Sequence, residues 1–236
     1  MTDFFDSGDD GFNPPARSTA DRPVAISSKG HFCGHVVIGD GCGRGDITGA
    51  RPRVVQVESY LELSWSLCLS HRHDIADLRE QVAFDWFDAD GKAQCHFFDL
   101  VVTRTDGVRI ACTVRPVVRS GGRFWQKMSW IAHQVRAAGF ADDVRLLTDR
   151  DLDPVELHNA WLLHDIRVPD RRADAAAAKV VSEFCGMADL ADLTARVDMG
   201  AAGFRALLRL VRRGDLRLLR AERITRATTV YKGSNS

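Results

Sequence analysis

His96-Phe97-Phe98-Asp99-Leu100-Val101-Val102 and, beyond an Asp106-Gly107 turn, Val108-Arg109-Ile110-Ala111-Cys112-Thr113-Val114-Arg115-Pro116 are the segments whose reading decides the fold. Both are short and rich in β-branched and aromatic residues, so they read as buried strands joined by a hairpin. Polar residues interrupt them where a core wants apolar ones. A carboxylate at Asp99, amid Phe97, Phe98, Leu100 and Val101, must find a cation, a metal, several donors or a proton. On the second strand Thr113 and Arg115 share a face, because side chains alternate with a period of two. Ile110, Cys112 and Val114 take the other face.

Working outward, Glu58 to Arg72 reads as a helix. Leu61, Trp65, Cys68 and Leu69 recur at i, i+4, i+7 and i+8 and predict one buried stripe. Ser59 with Glu62 has the spacing of a capping box. Leu78 to Phe87 reads as a strand, closed by the turn Asp88-Ala89-Asp90-Gly91. After the Arg115 strand, residues 122–138 form an amphipathic helix with Trp125, Met128, Ser129, Ala132 and Val135 on one side. Asp143 to Leu147 reads as a strand parallel to its neighbour, because a helix precedes it. Pro154 opens a helix running to about Arg167. This is an α/β domain: a mixed sheet with flanking helices over residues 31–168.

Pro169 to Arg172 read as a linker. Helical patterns follow at 172–185, 187–197 and 203–213, then short strands at Leu216-Arg217-Leu218 and Thr228-Thr229-Val230-Tyr231. Three helices and a hairpin predict a small winged-helix (α+β) domain over 169–236, with 203–213 as recognition helix and 214–232 as wing. Phe204, Leu207, Leu208 and Val211 mark the core face of that helix. Arg205, Arg209 and Arg212 fall on a separate face, and Arg213 and Arg217 follow. The alternative is a solvated arginine face on a small helical domain.

Charge supports a polyanionic partner. The chain carries 32 basic and 32 acidic residues, but residues 203–236 hold nine basic against two acidic ones. That asymmetry is the electrostatic footprint expected of a duplex-DNA-binding surface. Residues 1–30, rich in Asp, Gly, Ser and Pro, predict an unstructured acidic head. No apolar run approaches the ~20 residues of a membrane span, and Met1-Thr2-Asp3-Phe4-Phe5-Asp6 lacks the features of a secretion signal. The expectation is no membrane and a cytoplasmic protein with reduced cysteines. His31, Cys33, His35 and Cys42 lie close in sequence, but their spacing matches no standard zinc pattern.

An acid on one strand, then a polar residue two positions before a cation on the next, is a layout used in metal-assisted phosphodiester hydrolysis. Such metals take carboxylate oxygens, and a nearby cation offsets charge on phosphorus. Asp99 is the best candidate ligand, and Glu62 or Glu58 of the first helix the candidate second acid. Ser59-x-Leu61-Glu62, Leu78-Arg79-Glu80-Gln81, the Asp-x-Asp-Gly turn, Phe98-Asp99-Leu100 and a strand ending x-Val-x-Pro, in that order, resemble the TnsA-type transposon endonucleases. The resemblance covers roughly residues 50–236. It implies a restriction-endonuclease-like core, a C-terminal winged-helix-like domain and Mg²⁺- or Mn²⁺-dependent DNA cleavage beside a separate DDE-type transposase.

Carried over by position, Glu62 and Asp99 would hold the metal, and Gln81 matches a Gln of the family. Thr113 stands where the wider superfamily has Glu, Asp or Gln, and Arg115 where it has Lys. Both departures bear on activity: Thr is a poorer ligand than a carboxylate, and Arg cannot be deprotonated in a protein. The alternatives are that Glu62 only closes its capping box, and that Asp99 pairs with Arg115 in a retired site. The chain would then be a DNA-binding regulator or adaptor without catalysis.

Overall fold

The computed structural model describes residues 14–24, 32–39 and 52–233. Strands β1 (Gly34–Ile38) and β2 (Arg53–Val57) pair antiparallel and lead into helix α1 (Tyr60–Ser70). Ser59 caps α1, its hydroxyl accepting from the Glu62 N–H. Strands β3 (Ile75–Phe87), β4 (Ala93–Arg104) and β5 (Arg109–Val114) then run antiparallel, turning at Gly91 and Gly107. Both glycines have φ above +70°, a conformation other residues adopt at a cost. Helix α2 (Gly122–Ala137) crosses over to β6 (Asp143–Leu147), which pairs parallel with β5. The sheet order is β3-β4-β5-β6. This is a mixed α/β fold; from α1 to β6 the elements follow the order expected from the sequence, while strand β1 falls in a segment where no strand was expected.

Two apolar layers flank the sheet. On one side α1, the β1–β2 pair and part of α3 (Pro154–Asp165) close over Leu78, Leu100, Val102, Ile110 and Cys112. On the other, α2 covers Val82, Phe84, Phe98, Val101 and Ala111. Helix α1 is buried on every side from Glu62 to Ser70, because it is sandwiched between sheet, β1–β2 and α3. The single stripe read from the sequence was therefore too narrow. On α2 the buried positions are Met128, Ile131 and Val135, while Trp125 stays half exposed.

The C-terminal unit has its own core. Its order is α4 (Arg171–Glu183), β7 (Met187–Asp189), α5 (Leu190–Val197), α6 (Gly200–Arg213), β8 (Leu216–Leu218) and β9 (Thr229–Lys232). The strands form a three-stranded antiparallel sheet, β7-β9-β8. Met187–Asp189, expected as the start of a helix, instead pairs with Thr229–Tyr231. The expected linker at 169–172 contains Asp170, whose side chain caps α4. Helix α3 ties the two cores together: Ala160 belongs to the first, Leu163 and Ile166 to the second. Asn159 reinforces the joint, donating to the Glu222 carbonyl at 2.8 Å and accepting from the Ile224 N–H at 2.9 Å.

Residues 14–24, expected to belong to an unstructured head, lie against the sheet. Ala16 bridges Arg53, and the Asp21 N–H donates to the Gln81 carbonyl. Residues 1–13 and 25–31 lie outside the described residues. No helix among the described residues is long and apolar enough to cross a membrane.

Candidate functional site

Strands β3 and β4 both exchange faces at one level of the sheet. On β3, Leu78 packs toward α1 but Val82, Phe84 and Trp86 pack toward α2. On β4, Leu100 and Val102 face α1 but Phe98 faces α2. A strictly alternating strand keeps residues four or two apart on one face, so each strand is kinked between these positions. The kinks fall at Gln81 and Asp99, between the paired positions Glu80–Leu100 and Val82–Phe98. Gln81 takes the strain: its φ is +49°, a value uncommon for a residue with a Cβ.

Three residues carried over from the family pattern meet at this kink. Gln81, 0% exposed, donates through Nε2 to Glu62 Oε2 at 3.4 Å. Glu62 is 6% exposed. Its Oε1 accepts from the Ser59 hydroxyl at 2.9 Å and its Oε2 from the Glu58 N–H at 2.8 Å, so the reach-back of the capping box falls on the residue before the N-cap. Burial raises its pKa above the usual carboxylate range. Asp99 accepts the Val114 N–H on Oδ2 at 2.7 Å. Burial, and then the neighbouring Glu62 charge, push its pKa up to about 7.

Thr113 and Arg115 lie on the α2 side, in a cavity of about 330 Å³ that Asp99, His96 and Lys127 also line. The Thr113 hydroxyl sits 3.2 Å from His96 Nε2. Burial, and then the Lys127 charge, lower the His96 pKa to about 4, so this imidazole is neutral at physiological pH. Arg115 donates through Nε to the Arg119 carbonyl at 2.7 Å and lies 4.7 Å over the Phe124 ring. Asp99 is satisfied by the Val114 amide and not by an ion pair with Arg115. The salt bridge expected of a retired site is therefore not what holds this carboxylate.

The cation beside these carboxylates comes from elsewhere. Arg22, in the segment read as a solvated acidic head, pairs with Glu58 at 2.7 Å and donates to Gln81 Oε1 at 2.9 Å. Its charge acts on both Glu62 and Asp99. Nothing local in the sequence marks Arg22, since its partners are 36 and 59 residues away. His96 was legible as a neighbour of the site, and Lys127 was not.

The divalent metal implied by the family resemblance does not fit the residues as they stand. Both Glu62 oxygens are engaged by donors, and Glu58 is already paired with the Arg22 guanidinium. Among the described residues no three acidic, histidine or cysteine side chains converge to hold an ion. Of the group His31, Cys33, His35 and Cys42, the first and last lie outside the described residues.

The candidate DNA surface needs a correction. Of the three arginines assigned to one face of α6, only Arg205 is exposed. Arg209 is 6% exposed, ion-paired to Asp174 at 2.7 Å and donating to the Ile166 carbonyl. Arg212 is 8% exposed and lies among His71, His164 and Arg167. Helix α6 packs against α3 as well as α4 and α5, so its second face is covered too. Arg213 pairs with Asp215 at 3.5 Å. Beyond α6, exposed arginines cluster at Arg217 on β8 and at Arg220, Arg223 and Arg226 in the β8–β9 loop.

No protein-family model matches this chain, and no curated protein matches it in sequence.

Proposed function

We propose that this chain is a TnsA-like DNA-processing protein. It joins a restriction-endonuclease-like core to a winged-helix-like module and, as the family resemblance implies, cleaves duplex DNA with Mg²⁺ or Mn²⁺ beside a separate DDE-type transposase. The observation that carries this reading is the meeting of Glu62, Gln81 and Asp99 at the double kink, with Thr113 and Arg115 entering from the adjacent strand. Those five positions were assigned by order along the sequence. Asp99 links the two sides: the Glu62 charge acts on it, and it lines one cavity with Thr113 and Arg115.

The chain's own groups suit the handling of a phosphodiester. Arg115 and Lys127 line the Asp99 cavity and offer two positive charges to a phosphate. The α–β–α–α–β–β order of the C-terminal unit suits a winged helix. Its exposed loop arginines suit backbone phosphates, which position a protein on DNA without reading sequence.

A second reading is favoured by specific contacts. Thr113 is engaged by His96, and Arg115 is turned to the Arg119 carbonyl and Phe124. A nuclease fold kept as a DNA-binding regulator or adaptor would look like this. Plasmid nicking separates the two. Cleavage in Mg²⁺ or Mn²⁺, absent in EDTA and abolished in Asp99→Ala, supports the endonuclease. DNA binding without nicking in either metal, with the transposase present, supports the adaptor.

A further inference from the structure

Two cavities lie side by side between α2 and strands β4, β5 and β6. One is the Asp99 cavity. The other, of about 290 Å³, is walled by Phe124, Trp125, Met128, Val144 and Leu146. Thr113, Phe124 and Met128 line both, so the two abut along these residues and make one groove. Helix α2 leaves the groove unfilled because it buries only Met128, Ile131 and Val135. Trp125 is 51% exposed, belongs to none of the three apolar cores, and meets Phe124 edge to face at 5.9 Å. Packing of the fold therefore does not account for an indole at this position.

The groove carries a surplus of positive charge. Arg115 and Lys127 line the Asp99 cavity, and Arg136 and Arg145 line its neighbour. Arg136 and Arg145 share one carboxylate, Asp143, at 2.9 and 3.1 Å. Arg115 is held by a carbonyl and a ring, and Lys127 lies 5.5 Å over the Trp86 ring, so neither cation is spent on an acid. Four cations thus stand against Asp99 and Asp143 along a groove with an aromatic wall.

We propose that this groove takes an unpaired nucleotide of a DNA strand, its phosphate against Arg115 and Lys127 and its base in the neighbouring cavity, stacked on Trp125. The proposal rests on the reading of the Asp99 cavity as a phosphodiester site, and adds that the strand held there is unpaired. A base within a duplex has its faces covered by its neighbours, so only a base out of the stack has a face to give an indole. Every base has such a face, and recognition by stacking beside a basic groove is tolerant of sequence. The second cavity is at the small end of ligand pockets, a size for one base and not for a run of them. The exposed arginines of the β8–β9 loop suit duplex phosphates, so the two surfaces call for different forms of DNA.

The test is fluorescence anisotropy of the full chain in EDTA with three labelled probes: a short oligothymidylate, an abasic strand of the same length, and a duplex. The unmodified chain should bind the oligothymidylate more tightly than the abasic strand. Trp125→Ala should weaken the oligothymidylate by about tenfold and leave the abasic strand and the duplex unchanged, and Trp125→Phe should keep most of the affinity. Lys127→Ala should weaken both single strands alike and lower their salt slope by about 0.7. No preference for the oligothymidylate over the abasic strand in the unmodified chain overturns the proposal, and so does an unchanged oligothymidylate affinity in Trp125→Ala. Plasmid nicking in Mg²⁺ or Mn²⁺ separates it from the nuclease reading. Base-dependent single-strand binding without nicking leaves the groove standing and removes the nuclease. Nicking by a chain that does not distinguish the two single strands does the reverse.

Discussion

Gln81 and Asp99 face each other across β3 and β4 at the level where both strands exchange faces, and only Gln81 has a positive φ there. The backbone strain and the acidic cluster therefore coincide. Strain of this kind persists only where surrounding contacts over-determine it, and here the contacts are those of the Gln81 amide with Glu62 and Arg22.

The first prediction separates side chain from backbone at Gln81. Gln81→Ala keeps the strained φ while stranding buried partners, at an expected cost of about 2–4 kcal/mol. Gln81→Gly removes the same hydrogen bonds but relieves the Cβ strain, so it should be the more stable by about 1 kcal/mol. Urea unfolding of both variants measures the difference. Equal stabilities would show that the φ of +49° carries no strain.

Much of this arrangement was legible in the sequence. The Ser59–Glu62 spacing located the start of α1, the Asp99 and Arg115 segments gave the strands, and the intervening helix set the parallel pairing of β6. What failed was non-local. The kink at Gln81 exists only because two strands bend together. Arg209 and Arg212 looked solvent-facing because amphipathic spacing reports one covered face, and α3 covers a second. Arg22 lies in a segment whose composition reads as solvated. Its partners come from α1's entry and from β3, so no local pattern announces it.

The second prediction follows from that correction on α6. Arg209→Ala should act on stability, at about 3–5 kcal/mol, because it strands Asp174 in a largely buried pair. Replacing Arg217, Arg220, Arg223 and Arg226 together by Ala should leave stability near that of the unmodified chain and weaken duplex binding. Every arginine that neutralises a phosphate should, on removal, lower the slope of log K against log salt by about 0.9. Fluorescence anisotropy across a salt series checks it. An unchanged slope would remove the β8–β9 loop from the DNA surface.

The third concerns pH. His71 and His164 pack edge to face at the joint between the two cores, 6.3 Å apart, with Arg212 acting on both, Arg167 and Asp165 acting on His164, and Asp153 and Glu156 lining a cavity with His71. Burial, first among the causes, lowers His71 to about 3 and His164 to about 4. Both are neutral in the folded chain while the unfolded chain takes up protons below about 6.5. Their contribution is therefore whole above pH 6.5 and is lost as pH falls toward 4 and then 3. Urea midpoints should drop between pH 7.5 and pH 5, and His164→Asn should flatten that fall. A pH dependence identical in His164→Asn would assign the acid sensitivity elsewhere.

The last prediction concerns the two departures from the family pattern. Arg115 is held by the Arg119 carbonyl through Nε and by the Phe124 ring, contacts that depend on the planar guanidinium. Lysine at this position has neither the Nε donor nor the flat face, so Arg115→Lys should free a compact, titratable cation within the cavity that holds Asp99. Thr113→Glu adds a second carboxylate on the same strand face, at the cost of the His96 hydrogen bond. The double variant should therefore nick plasmid in Mn²⁺ faster than the unmodified chain. A positioned acid–base group contributes about 10²–10⁴ in rate, which sets the range of gain expected if the lysine acts in that way. Asp99→Ala added to the double variant should abolish the activity, which excludes a contaminating nuclease. A folded double variant that binds Mn²⁺ and DNA yet never nicks would show that the fold has been retained for DNA binding alone.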